Sequence, residues 1–396
     1  MNQPLFLHIV ERLEGFLGKL PASIQKPVLH ELTPLKELFL KQRTPRFVLT
    51  GSPKLPVQEV VSALFAAAQP GDLRDVLMEI YRWQEMNVGG HGHISLLDAR
   101  GADATALRKI EEELEHQPPD VFLHIVDGNS ARPILTRDLD TLSALTKLQL
   151  SPEAPPRVVG ISLSAPAREG AVHNGIEPAE LTATQEKLRT ALTNLPGLRE
   201  LLLQVLEIEL TGATTATENS GAARLMSLLA REVPNEARVE MIRISRDRVA
   251  QEQVAQVLVK STSAICTAVG AQPIPLADLP ILTTLQLVMV SGIMYISGRE
   301  RSLRAATEFV GALGVNVGAG MVLREGARAV LKFFPGWGNV VCGMVAGAGT
   351  YALGRAAIVY FLEGVTLKDA RRTYLRSRKK QRSARLLPEE AELPTS

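Results

Sequence analysis

The stretch Arg46–Phe65, RFVLTGSPKLPVQEVVSALF, decides how the first half of the chain is read. A run of Phe47, Val48 and Leu49 has the β-branched and apolar character of a buried strand, and it stops at Thr50-Gly51. An apolar helical pattern starts a few residues later at Val57. Strand, glycine turn and helix are the frame of a phosphate-binding loop, which reads G-x-x-x-x-G-K-[ST]. Aligned on Gly51, the second glycine falls on Pro56, the lysine on Val57 and the hydroxyl residue on Gln58. The frame is present and its phosphate chemistry is not. Val57 cannot neutralise phosphate charge, Gln58 does not supply the Mg²⁺-ligating hydroxyl, and Pro56 removes a backbone donor. Lys54 sits in the loop, on the wrong side of the turn for the usual geometry.

Outward from this loop, residues 46–235 alternate short apolar runs with amphipathic ones. Strands are expected at 47–50, 94–97, 121–126, 157–163 and 205–210. Helices are expected at 57–67, 104–116, 139–147, 182–193 and 221–231. That alternation predicts an α/β domain with a parallel sheet covered on both faces. Residues 1–45 show helical periodicity punctuated by proline and are expected to form an amphipathic helical segment. The charges at Glu11, Arg12 and Glu14 argue against a signal peptide.

The order of elements repeats that of a GTPase. Asp98 and Gly101, in HISLLDARG, stand where Asp-x-x-Gly follows a strand. There the carboxylate would hold Mg²⁺ through water and the glycine amide would meet the γ-phosphate. Ser162 to Ala165 stand where a guanine-reading [NT]-K-x-D is due and offer no carboxylate. Thr211-Gly212-Ala213 is a faint echo of the last base-contacting loop. Asp127 and Asp98 end strands expected to be neighbours, and both are read as turn residues. His91 and His93, in GGHGH, are read as part of a glycine-rich loop rather than as half of a metal site, since Asp98 is the sole further ligand nearby.

Beyond residue 236 the chain turns to helical stretches of rising apolarity, a domain expected over 236–375. Leu279–Gly298 and Phe333–Gly354 are uncharged over 20 and 22 residues, long enough to cross a bilayer. A crossing by both would place the connection 299–332, with its Arg299, Arg301, Arg304, Arg324, Arg328 and Lys332, outside, against the preference for basic segments inside. A packed helical bundle with one face on the membrane fits these charges better. Gly314, Gly318, Gly343 and Gly347 are spaced for close helix contact. Thr366–Arg385 holds nine Lys/Arg against one Asp, and residues 376–396 are read as a basic then acidic disordered tail. Trp337, Arg371, Arg372, Arg376, Arg378, Lys379, Lys380 and Arg382 are the candidate lipid contacts. A nucleic-acid partner is not expected, because Tyr374 is the sole aromatic among these charges.

Composition narrows the classes further. The 396 residues are 45% hydrophobic and 4% aromatic, with a net charge of +2 and two cysteines, Cys266 and Cys342, in apolar surroundings. That excludes a disulfide framework and suits a reducing compartment.

Two C-terminal stretches carry a resemblance. AQPIPLADLPILTTLQLVMVSGIMYISG has a Pro-x-Pro-x-x-Asp opening (Pro273, Pro275, Asp278) that leads into a helix with Gln286 and Met289. GWGNVVCGMVAGAGTYALGRAAIVYF is a Gly/Ala-rich helix. Together with the order of elements before them, they resemble bacterial Era-like GTPases fused to the C-terminal domain shared with YcjF-type inner-membrane proteins. The resemblance implies a GTPase-like P-loop-type sheet followed by an all-α apolar domain at the inner face of the inner membrane. The departures at Pro56, Val57 and Gln58 make Gly51, Lys54, Asp98 and Gly101 remnants of a nucleotide site. No catalytic residue, no metal and no resident cofactor is expected, GTP and Mg²⁺ included. The expected role is a non-catalytic scaffold or regulator on membrane lipid, paired with an intact GTPase or with itself. The alternative is a nucleotide-binding, membrane-remodelling GTPase with an atypical loop.

Overall fold

The computed structural model describes residues 26, 29, 33, 41–65, 81–88, 92–130, 132–148, 155–164, 178–210, 221–271, 278–313 and 337–383. They fall into two compact units, one over Gln42–Asp247 and one that joins the described residues up to Lys41 with those from Arg248 onward, so the first of these continues past the expected boundary at 235.

The first unit is built on six strands: β1 (Arg46–Gly51), β2 (Gln84–Val88), β3 (Gly92–Asp98), β4 (Val121–Asp127), β5 (Arg157–Ser164) and β6 (Leu202–Glu209). Their order is β2-β3-β1-β4-β5-β6. Five strands run parallel, and β2 lies antiparallel on the edge beside β3. The sequence reading missed β2. In QEMNV only Met86 and Val88 are buried, the half-apolar alternation of an edge strand. His93 lies on β3 rather than in a loop, and its amide donates to Glu240 Oε1 at 3.0 Å.

The helices of this unit are α1 (Val57–Phe65), α2 (Ala104–His116), α3 (Thr136–Thr146), α4 (Pro178–Thr193), α5 (Gly221–Glu232) and α6 (Asn235–Ser245). Strand alternation divides the sheet into two apolar faces. Val48, Phe122, Val126, Val158 and Val205 face Ala106, Ile110 and Leu114 of α2, Leu142 and Leu145 of α3, and Leu188 and Leu192 of α4 in one core. On the other face Phe47 meets Phe65 of α1 at 5.6 Å between ring centroids, and α5 packs against α1 and β6. Full burial of Ile110 or Leu114 contributes about 2 kcal/mol each, more than any single cap. Asp103 still adds a well-formed N-cap to α2, accepting from the amides of Thr105 and Ala106 at 3.0 and 2.8 Å, worth about 1 kcal/mol.

The second unit holds α7 (Arg248–Gly270), α8 (Asp278–Ile296), α9 (Leu303–Ala312), α10 (Trp337–Phe361) and α11 (Leu367–Ser383). α10 is its centre and packs against α7, α8 and α11. Its small residues decide the closest approach. A Cβ on Gly343 would stand 2.5 Å from the Thr267 carbonyl oxygen, and one on Gly354 would stand 2.4 Å from Val259 of α7. Gly343 and Gly347 therefore serve as the close-contact pair that their spacing suggests. Gly314 and Gly318 lie outside the described residues.

Polar groups inside this unit satisfy one another. Gln286 Nε2 of α8 donates to Thr350 Oγ1 at 2.9 Å, and Thr350 Oγ1 donates to the Ala346 carbonyl at 2.9 Å. Among the described residues, no helix is long and apolar enough to cross a membrane. Residues 333–336, which open the second uncharged stretch, lie outside them.

The end of the chain differs from expectation. The disordered tail was to begin at 376, yet α11 continues to Ser383. Arg and Lys are strong helix formers. Ala370 and Tyr374, four residues apart and buried, form a seam on the side of α11 opposite most of its charges. The acidic end after 383, and most of residues 1–45, lie outside the described residues.

Candidate functional site

The strand order reverses at β1, which has β3 on one side and β4 on the other. In an open α/β sheet the carboxyl ends at such a reversal form a ligand crevice. Here those ends are Gly51, Asp98 and Asp127. Asp98 and Asp127 flank β1 from opposite sides, so the strands that end in them are not neighbours, contrary to the sequence reading.

Gly51 turns the chain with φ +100°, and a Cβ there would fall 2.1 Å from the Ile125 carbonyl oxygen. Only glycine fits so close to β4. The next amide, Ser52 N, donates to that same Ile125 oxygen at 2.8 Å. The loop is thereby held down on β4, and its first donor is spent on protein. Pro53 and Pro56 carry no N–H. The Lys54 amide turns back to Ser52 Oγ at 3.4 Å.

The mouth of the loop is filled from the turn after β3. Arg100 is 8% exposed, and its guanidinium reaches under residues 52–55. Nη1 donates to the carbonyls of Ser52 at 3.4 Å and Leu55 at 2.9 Å. Nε and Nη2 donate to Oδ1 and Oδ2 of Asp98, each at 2.9 Å. Gly101 follows with φ +69°, and the Pro53 ring packs 3.1 Å from where its Cβ would stand. The loop and the β3 turn are thus closed on each other by one fork of hydrogen bonds and one ring contact.

These contacts test the fit of a Mg²⁺-nucleotide. A phosphate cradle aims backbone amides at an anion. Here two loop carbonyls are aimed at a cation that the chain itself supplies. A Mg²⁺-holding carboxylate needs free oxygens, and both oxygens of Asp98 are held by Arg100. The residues present do not fit the group. Asp98 is therefore the counter-ion of Arg100 and not a plain turn residue. Arg100 is the residue that sequence reasoning missed. Its signal was visible as the middle of Asp98-x-x-Gly101, but nothing in the spacing says that the side chain folds back under the loop.

The remaining remnants are dispersed. Lys54 Nζ reaches Ser130 Oγ at 3.5 Å, across on the turn after β4 and away from Arg100. Asp127 Oδ1 accepts from the Asn129 amide at 3.0 Å and shapes that turn. Behind Gly51, on the face of α2, α3 and α4, Thr50 Oγ1 and His124 Nδ1 lie 3.1 Å apart in the buried sheet. Burial lowers the His124 pKa to about 4, because a charged imidazole there has lost its water. Desolvation also raises the Asp138 carboxyl in the first turn of α3, with Arg137 and Lys54 opposing it.

Of the candidate lipid contacts, Arg371, Arg372, Arg376, Arg378 and Lys379 are exposed on α11. Lys380 and Arg382 lie on the same helix, and Trp337 begins α10. The side chains of these three are outside the described residues.

No family model matches the chain. Over 139 residues it is 29% identical to Magnetosome membrane protein 22 of Magnetospirillum gryphiswaldense, a match that covers 32% of this chain and 70% of that protein.

Proposed function

We propose that this chain is a non-catalytic, GTPase-like scaffold or regulator that works on the cytoplasmic face of a bacterial inner membrane. One observation carries the reading: the Arg100 guanidinium occupies the mouth of the Gly51 loop and holds both oxygens of Asp98. A cation built into the chain replaces the metal and phosphate contacts that would otherwise organise the two turns. The strand order, with a single antiparallel edge strand, supports a GTPase-like ancestry for the sheet. The membrane part of the reading is supported by the name of the relative in Magnetospirillum and by the basic surface of α11.

In this reading the turns after β1 and β3 no longer respond to a bound nucleotide. They present one fixed surface to a partner, an intact GTPase or a second copy of the chain. The test is calorimetry of the full chain with GTP and with GDP, each with Mg²⁺. No heat of binding at micromolar concentration is the expected result. Micromolar binding would instead favour a nucleotide-binding GTPase with an atypical loop.

A further inference from the structure

α11 sorts its side chains into two faces. Ala370 and Tyr374 are 0% and 6% exposed. At 100° per residue, positions 368, 371, 372, 375, 376 and 379 fall together on the opposite side. Lys368, Arg371, Arg372, Arg376 and Lys379 are all exposed there. Leu375 stands in their middle and is 53% exposed. The one acidic residue of the helix, Asp369, is engaged with Thr366 Oγ1 at 2.7 Å and Arg372 Nη1 at 3.1 Å.

We propose that this face of α11 docks on an anionic bilayer, with the cationic groups on lipid phosphates and Leu375 inserted at the headgroup boundary. The proposal rests on the membrane-surface reading above and adds the face and its geometry. Charge complementarity selects an anionic surface, because five cations share a single face. The protruding leucine selects a surface with an apolar layer beneath the charge. A nucleic-acid strand would call for an exposed aromatic to stack on its bases, and Tyr374 is buried. The helix is already folded and seated by its Ala370/Tyr374 seam, so no ordering cost accompanies docking.

The experiment is sedimentation of the full chain with vesicles of phosphatidylglycerol and phosphatidylcholine, and with phosphatidylcholine alone. Arg371→Gln/Arg376→Gln is expected to weaken partitioning to the anionic vesicles by about thirtyfold, at about fivefold for each cation removed. Leu375→Ser is expected to weaken it by about tenfold. Salt is expected to weaken wild type more than the double glutamine variant. Lys187→Gln/Arg189→Gln, on the exposed side of α4, removes the same charge elsewhere and is expected to bind as wild type. Arg371→Lys/Arg376→Lys keeps the charge and is expected to do the same. If wild type binds anionic vesicles and the α11 variants bind equally well, the face is overturned and the membrane reading stands. If wild type does not bind them, or is retained on a single-stranded oligonucleotide instead, both are overturned.

Discussion

Arg100 holds both carboxylate oxygens of Asp98, two residues before it, at 2.9 Å from each. The pair is unequal in exposure: the Arg100 side chain is 4% exposed and that of Asp98 is 25% exposed. The cation is the buried member, and the carbonyls of Ser52 and Leu55 complete its shell. Such a centre ties the loop after β1 to the turn after β3 without any ligand.

Removing the cation should therefore loosen both turns. Arg100→Met leaves a partly buried carboxylate and two carbonyls without their donor. The expected loss is about 3 kcal/mol, the range for breaking one side of a buried pair. Trp83 packs against the sheet core and donates to the Glu113 carbonyl at 3.4 Å, so its fluorescence reports this unit in a urea titration with Trp337 replaced by Phe. Asp98→Asn/Arg100→Met should recover part of the loss, because no unpaired charge remains. An unchanged midpoint in the single variant would mean that the pair does not hold the turns. Nucleotide binding should not appear in either variant, since Val57 and Gln58 still stand where the phosphate and Mg²⁺ contacts would be.

The buried His124 makes the same unit sensitive to acid. Its ordinary pKa is 6.5, and burial lowers it to about 4 in the fold. Above 6.5 the imidazole is neutral whether folded or not, and its contribution is fully present. As pH falls from 6.5 towards 4, the unfolded chain takes up a proton that the folded chain does not. Stability is lost over that window, by about 3 kcal/mol in all. His124→Gln removes the titration, so its stability should fall less steeply between those limits, by about one proton. Equal slopes for wild type and variant in urea titrations across that window would show that His124 is not the acid-sensitive group.

How much of this was legible beforehand follows from what each feature depends on. The strands β1, β3, β4 and β5 were readable because each is a buried apolar run, and a parallel sheet needs such runs; β6 was readable through Val205, Leu206 and Ile208, its buried residues. β2 was not, because an edge strand needs only Met86 and Val88 to face inward. The loss of phosphate chemistry was readable from residue types at Pro56, Val57 and Gln58. What fills the place was not readable. Arg100 looks like an ordinary surface cation until its contacts with Asp98 and with the Ser52 and Leu55 carbonyls are known. The charges of α11 were readable by count, but those from Arg376 onward as part of a disordered tail. Their arrangement around Leu375 depends on Ala370 and Tyr374 being buried, and tertiary packing decides that.

The glycine seam of α10 makes a sharp packing prediction. A Cβ on Gly347 would stand 1.8 Å from Thr267 Oγ1 and 3.0 Å from the Ser263 carbonyl oxygen. Thr267 Oγ1 already donates to that carbonyl at 2.8 Å, so it has little room to turn away. Gly347→Ala should cost about 1–3 kcal/mol through overpacking. Gly349, with nothing within 4 Å of its Cβ position, should tolerate alanine and gain slightly in helix propensity. Thermal unfolding of the two variants, followed by far-UV circular dichroism, should separate them. Equal midpoints would refute the close α7–α10 contact.

Cys266 offers an independent probe of that contact. It is fully buried on α7, and burial pushes its thiol up to about 12, opposed by a hydrogen bond with Thr350 of α10. The thiolate is the reactive form, so both access and ionisation protect it. With Cys342 replaced by Ser, the native protein should react with an aromatic disulfide reagent at pH 8 only as fast as the helices open. Urea should release the reaction in parallel with the loss of helical circular dichroism. Gly347→Ala should speed it in native buffer, because wedging α10 from α7 exposes the same thiol. Gly349→Ala should not, because its side chain meets open space. Prompt labelling of the Cys342→Ser protein in native buffer would place Cys266 at the surface and undo the packing described for α7 and α10.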